Sequence, residues 1–242
     1  MIVAYYMDIG PLLAEAVFQQ QLSLADRERR ERILRLRSAE DRCRSLAGSL
    51  LIREGLWRQG IDPDRLRIVE NELGKPELDY RFVRELTDRS KGSGVYPPVQ
   101  RIVRASDRGR KEREAQSGER LLHFSVSHSG RYAVAAFSDR DVGIDVERIS
   151  RFSRKEMTGR MAQRVLCAEE RKMYEKVAQD KQPMVFAWFW TRKEAYVKWD
   201  GRGIGMDFSL VDCRKDRMFH TLRLDEDYWV SICAYRRHYR RE

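Results

Sequence analysis

Two short stretches carry most of the chemistry available to this sequence. In Val142-Gly143-Ile144-Asp145-Val146-Glu147-Arg148, strand alternation sends Val142, Ile144 and Val146 to one face and Asp145 and Glu147 to the other. Two carboxylates side by side at a strand end repel each other unless a cation lies between them. In Phe189–Trp199, Trp190, Glu194 and Lys198 recur at every fourth residue and share one helical face. Asp145, Glu147 and Glu194 together would form an all-oxygen ligand set for Mg²⁺, with Mn²⁺ as the alternative occupant. Lys198, one turn beyond Glu194, would then meet phosphate oxygens. Each stretch also has a plainer reading. The first reads as an ordinary half-exposed strand, and Glu194–Lys198 reads as a surface helix pair worth a few tenths of a kcal/mol.

Jointly the two stretches are more specific. Gly143-Ile144-Asp145-Val146-Glu147, followed by Trp190-x-x-Lys193-Glu194-Ala195-x-x-Lys198, resembles the signature of the 4′-phosphopantetheinyl transferases of the longer, surfactin-synthetase-activating type. It matches at every defining position. The resemblance implies an α+β fold, a pseudo-dimer of two similar halves with the active site between them. It implies transfer of the phosphopantetheine arm of coenzyme A to a serine of an apo acyl or peptidyl carrier protein, releasing adenosine 3′,5′-bisphosphate. On the same ground Asp145, Glu147 and Glu194 hold Mg²⁺. His128 and Lys198 contact phosphate oxygens, and Glu194, directly or through a water, takes the serine proton.

Further blocks match the same family. Ser127-His128-Ser129-Gly130 resembles its phosphate-contacting turn, although a lone turn histidine is more often incidental. In Leu73-Gly74-Lys75-Pro76, a plain turn by composition, the resemblance puts Lys75 at the nucleotide end of coenzyme A. Ser45 matches a small hydroxyl position near the cofactor. Counting back from Arg44-Ser45-Leu46 places Arg29 and Arg32 at the positions holding the 3′-phosphate, with Arg27 and Arg30 one register slip away. Without the resemblance, these arginines read as a solvated face laced with Glu partners.

The elements that position these groups can be read along the chain. Ile2–Met7 is a buried strand by its β-branched and aromatic content. Ser23 or Asp26 can cap a basic helix, and Ser38 with Asp41 starts another whose apolar face is Leu46, Leu50, Ile52 and Leu56. His123–Phe137 reads as strand, tight turn and strand. Ser138–Asp141 then turns into the Asp145–Glu147 strand, a meander that would bring His128 beside the two carboxylates. Ala168–Tyr174 resembles the Glu-rich helix that precedes the signature helix in the family, Asp200–Gly205 is a glycine-rich stop, and Phe219–Leu224 with Trp229–Ile232 a closing strand pair. Residues 88–120 lose periodicity and read as a mobile basic excursion; Arg236–Arg241 is a basic tail. Each half opens with an apolar strand ending in acid and later supplies a helix, which sets the boundary within Ser138–Asp141 and two halves, 1–139 and 140–242.

Composition bounds the rest. The chain of 242 residues has 36% charged and 42% hydrophobic residues and a net charge of +10, which suits a globular protein with a polyanionic partner. The four cysteines show no metal or disulfide spacing, and free thiols suit the cytoplasm. No run is long and apolar enough for a bilayer, and no nucleic-acid module accompanies the charge. The expected partners are coenzyme A and an acidic carrier helix, with neither membrane nor nucleic acid, for a monomeric chain. The rivals are a basic nucleic-acid-binding protein and a silent relative that binds coenzyme A or a carrier.

Overall fold

A computed structural model describes residues 2–72, 74–79, 99–105, 122–214 and 218–234, without the side chains of 103–105, 155–157 and 204. The fold is α+β, as expected, with antiparallel sheets and six helices among the described residues. The chain divides into two compact units. One comprises Met1–Glu72 and Pro76–Asp139, the other Leu73–Lys75 and Arg140–Glu242.

In the first unit, β1 (Ile2–Asp8) lies inside a sheet of order β4-β1-β6-β5, with β4 Gln100–Ala105, β5 His123–Ser129 and β6 Tyr132–Ser138. β1 runs antiparallel to β6 from Ile2↔Ser138 to Asp8↔Tyr132. Three helices follow β1: α1 (Glu15–Leu22), α2 (Arg27–Leu34) and α3 (Ala39–Arg58). Asp26 caps α2 by accepting from the Arg29 N–H at 2.8 Å, and Ser38 caps α3 by accepting from the Asp41 N–H at 3.0 Å. Such caps satisfy amide groups that the helix itself leaves open. The apolar face of α3 (Cys43, Leu46, Ala47, Leu50, Leu51, Leu56) is buried in one core with Tyr5, Met7, Phe124 and Phe137 of the sheet. A hairpin of β2 (Arg67–Glu70) and β3 (Pro76–Asp79) completes the unit.

Within the stretch read as aperiodic, Gln100–Ala105 forms the edge strand β4 on β1, with a register shift between Ala4 and Tyr5. The short β-branched pair Ile102-Val103 was obscured by the charged and Pro- or Gly-containing flanks. The remainder of the 88–120 reading, and the basic tail, lie outside the described residues.

The second unit opens with β7 (Val142–Arg148), which pairs with β9 (Tyr228–Ala234); β9 in turn pairs with β8 (Phe219–Asp225), giving the order β7-β9-β8. The expected meander is therefore corrected: β7 does not continue the β5–β6 hairpin, and sheet pairing gives no adjacency of His128 to Asp145 and Glu147. Ser138–Asp141 has turn composition, but it links the two units. β7 finds its partner nearly at the other end of the chain. Over this sheet runs α6 (Gln182–Asp200), preceded by α4 (Lys155–Val165) and α5 (Ala168–Lys176). α6 ends where Gly201 adopts φ +83°, and its N–H bonds the Val197 carbonyl, a left-handed cap that glycine takes without a Cβ penalty.

Candidate active site

Strand alternation puts Gly143, Asp145 and Glu147 on the face of β7 turned towards α6. A Cβ at position 143 would stand 1.9 Å from the Ala195 carbonyl oxygen and 2.5 Å from the Trp199 nitrogen. The helix backbone thus rests on the bare Cα of Gly143, which lets Asp145 and Glu147 reach the Trp190–Glu194–Lys198 face. The expected pairing of the two stretches is what the structure shows. Asp145 is 4% and Glu147 7% exposed, so the half-exposed strand reading does not hold.

Four groups engage these carboxylates. Lys198 Nζ donates to Asp145 Oδ1 at 2.8 Å. The Trp190 indole N–H donates to Glu147 Oε1 at 3.2 Å, and the Arg151 guanidinium donates to the same oxygen. Glu194 is the fourth. Burial, followed by the charge of Asp145, pushes its carboxyl up to about 7; Lys198 works in the opposite direction, and Glu147 adds to the rise. A half-buried carboxyl held up partly by two like charges is where a divalent cation would relieve repulsion. An oxygen-only donor set is the kind that Mg²⁺ takes, and in its chemistry the set fits that ion.

Among the described residues, a different trio brings its ligand atoms within 4.8 Å of one another: Cys167, Glu170 and Asp212. Its chemistry is internal. Glu170 accepts from the Cys167 and Cys213 N–H groups at 2.9 and 2.7 Å and pairs with Lys193 at 2.7 Å, while Asp212 pairs with Arg214.

Residues 141–233, which span β7 to β9, match the model of the 4′-phosphopantetheinyl transferase superfamily. Over those residues the chain is similar to that superfamily. The chain is 25% identical to the 4′-phosphopantetheinyl transferase Sfp of Bacillus subtilis over 96% of its own length and 91% of that protein. It is 27% identical to the transferase gsp of Aneurinibacillus migulanus, over 84% of this chain and 68% of the relative. The 4′-phosphopantetheinyl transferase pptA of Paxillus involutus is 27% identical, over 81% of this chain and 67% of that protein. The family expected from the two stretches is borne out, and with it the assignment as an enzyme of the transferase class.

The other positions that the transferase signature singles out fall as follows. Lys75 belongs to the second unit and passes beside the end of α6, where a Cβ at Gly201 would meet its Cδ at 3.8 Å. Its charge helps hold the Asp200 carboxyl below the usual range, behind the stronger effect of the hydrogen bond from Arg202. In the first unit, Arg29 and Ser45 are brought together: the guanidinium donates to Ser45 Oγ at 3.0 Å, the Ser45 carbonyl at 3.1 Å and Ser49 Oγ at 2.8 Å. Arg32, on the same helix, pairs instead with Glu70 at 3.1 Å, and Arg27 pairs with Glu31. Ser127 is buried near the end of β5 and His128 is exposed. The turn after them is held by Arg44, which donates to the Gly130 carbonyl at 3.0 Å, and by Arg131, which donates to Asp8.

Sequence reasoning gave no role to Arg151, Arg44 or Lys193, although Arg44 and Lys193 stand in the matched stretches. Arg151 gave no periodic signal, being beyond the end of β7. Lys193 sits in a Lys-Glu pair that looks solvated and is fully buried. Gly143 was legible in principle: it is the missing side chain in the alternation that Asp145 and Glu147 continue.

Proposed function

We propose that this chain transfers the 4′-phosphopantetheine arm of coenzyme A to a serine hydroxyl of an apo acyl or peptidyl carrier protein, releasing adenosine 3′,5′-bisphosphate. The observation that carries the reading is the meeting of Asp145 and Glu147 on β7 with Glu194 and Lys198 on α6. The relatives' shared transferase name supports the reaction class. In the reaction, the serine oxygen bonds to the phosphorus that carries the pantetheine arm. The bond from that phosphorus to the bridging oxygen breaks, and the electron pair leaves with the nucleotide. Asp145, Glu147 and Glu194 would hold Mg²⁺, which when bound neutralises pyrophosphate charge.

The side chains divide the remaining work. Burial and the neighbouring carboxylates raise the Glu194 carboxyl to about 7; a bound Mg²⁺ would lower it again and leave Glu194 as the carboxylate that a base must be. In our reading it accepts the serine proton, directly or through one water. Lys198 supplies positive charge to the phosphate oxygens, which requires it to share or leave Asp145. His128 and Ser127 bind phosphate, Lys75 the nucleotide end, and Arg29, Arg32 and Ser45 the 3′-phosphate region. The carrier brings an acidic helix to a chain of net charge +10. The four free thiols suit a reducing cytoplasm, and we read the enzyme as a monomer.

The test is direct. Incubation with coenzyme A, Mg²⁺ and an apo carrier should increase the carrier's intact mass by one phosphopantetheine, and replacing the acceptor serine by alanine should abolish the gain. An unchanged carrier mass across a panel of acyl and peptidyl carriers, with coenzyme A bound, would assign the chain to silent binding instead.

A further inference from the structure

α6 poses a problem of orientation. Phe186, Ala187, Phe189, Ala195 and Val197 are all buried, as are the polar Thr191, Arg192 and Lys193 between them. A helix that is apolar on most sides gains little from one rotation over another by burial alone. Yet Trp190, Glu194 and Lys198 reach Glu147 and Asp145 only in one rotation, since successive residues stand about 100° apart.

Buried polar contacts can supply the missing direction, because a wrong rotation leaves them unpaired. The strongest of these belong to Lys193. Its side chain and that of Glu170 are both 0% exposed, with the ammonium 2.7 Å from Glu170 Oε2. The ammonium also donates to the Phe208 carbonyl at 2.9 Å and the Val211 carbonyl at 2.5 Å, so its three protons have three acceptors. Glu170 meanwhile accepts from the Cys167 and Cys213 N–H groups. One network thus ties the start of α5, the middle of α6 and the segment 208–213. A lesser contact on α6, Thr191 Oγ1 to Ser231 Oγ at 2.9 Å, reaches β9 directly opposite Asp145.

We infer that Lys193 and Glu170 are positioning residues: their buried network sets the rotation of α6 and so places Glu194 and Lys198 over β7. The kinetic part of this inference rests on the proposed transferase reaction; the structural part does not. Lys193→Met or Glu170→Gln alone leaves a buried charge, which threatens folding. The decisive variant is therefore the double replacement Lys193→Met/Glu170→Gln, which removes both charges at nearly constant volume.

The readout independent of activity is the indole N–H resonance of Trp190, identified by its loss in Trp190→Phe, because that proton is bonded to Glu147 only when α6 is correctly turned. In the double variant it should move upfield and exchange faster. In the transfer assay, kcat should fall about 100-fold, the cost of misplacing a catalytic group by about 1 Å, with the KM for coenzyme A changed far less. A folded double variant with the wild-type Trp190 resonance overturns the inference, and the pair is then a packing feature. If the double variant does not fold, Glu170→Asp, which keeps both charges and shortens one arm, must shift the same resonance; an unshifted one again overturns it. A wild-type protein inactive on every carrier would sink the proposed function while leaving the resonance test valid.

Discussion

Glu194 concentrates the electrostatic cost of the site. Its carboxyl stands at about 7 in the folded, metal-free protein against an ordinary value of 4.5. Between those values the folded chain holds a proton that the unfolded chain has released. Its contribution therefore favours folding below about 4.5 and is lost as pH rises through about 7. The Tm of metal-free wild type should fall more steeply than that of Glu194→Gln between about pH 5 and pH 8, and the two curves should run parallel if the shift is absent. Mn²⁺ affinity, followed by its electron paramagnetic resonance signal, should weaken as pH drops below about 7, because a ligand must first lose its proton.

Two arginines on one helix should behave differently. Arg29 spans α2 and α3 through Ser45 and Ser49, so Arg29→Ala should lower stability and raise KM for both coenzyme A and its dephospho form. Arg32 sits in an exposed pair with Glu70, worth about 0–1 kcal/mol. Arg32→Ala should leave Tm nearly unchanged and raise KM for intact coenzyme A about tenfold while sparing the dephospho form. Equal losses for both cofactors in Arg32→Ala would remove it from the 3′-phosphate.

At the scale of elements, the closest packing in the site is that of α6 on β7, and it depends on Gly143. Gly143→Ala pushes a methyl group into the Ala195 carbonyl and the Trp199 nitrogen. Backbone atoms cannot rotate aside, so the cost should reach the upper end of the overpacking range, about 3 kcal/mol. Urea denaturation should show that loss together with reduced turnover, since α6 must lift from Asp145 and Glu147. Full stability in the variant would place the helix elsewhere.

The same element pair shows what was legible in the sequence. Asp145 and Glu147 alternate against Val142, Ile144 and Val146, and Trp190, Glu194 and Lys198 follow helical spacing, so local geometry already declared their faces. Ser38 and Asp26 behave as the caps their residue types suggested. What stayed hidden depended on distant partners. β7 pairs with β9 because register and burial, not sequence neighbourhood, select a strand partner, and Ser138–Asp141 looks the same whether it closes a hairpin or joins two units. Lys193 could not be told from a surface lysine until Glu170 and two carbonyls were found around it. Gln100–Ala105 is too short, and too flanked by charge, for alternation to reveal it.

For the whole molecule, the balance of 48 basic to 38 acidic residues matters more than any single pair. Many arginines are matched locally: Arg53 with Asp64, Arg58 with Glu54, Arg148 with Asp227, Arg214 with Asp212. Such pairs cancel at short range, yet the excess of +10 survives in the field at a distance. The acidic carrier helix that we propose as partner would be drawn by that field before it touched any residue, and salt shortens the field's reach to about 8 Å at physiological strength. Carrier capture should therefore slow steeply with added salt, raising the carrier's KM, while kcat at saturating carrier stays near its low-salt value because Glu194 and Lys198 are half-buried beside the buried Asp145 and Glu147, where salt screens less. Coenzyme A, being anionic itself, must be held at saturation so that its own salt dependence does not enter. A carrier KM that stays flat from low to high salt would show that apolar contact, not charge, brings the two proteins together.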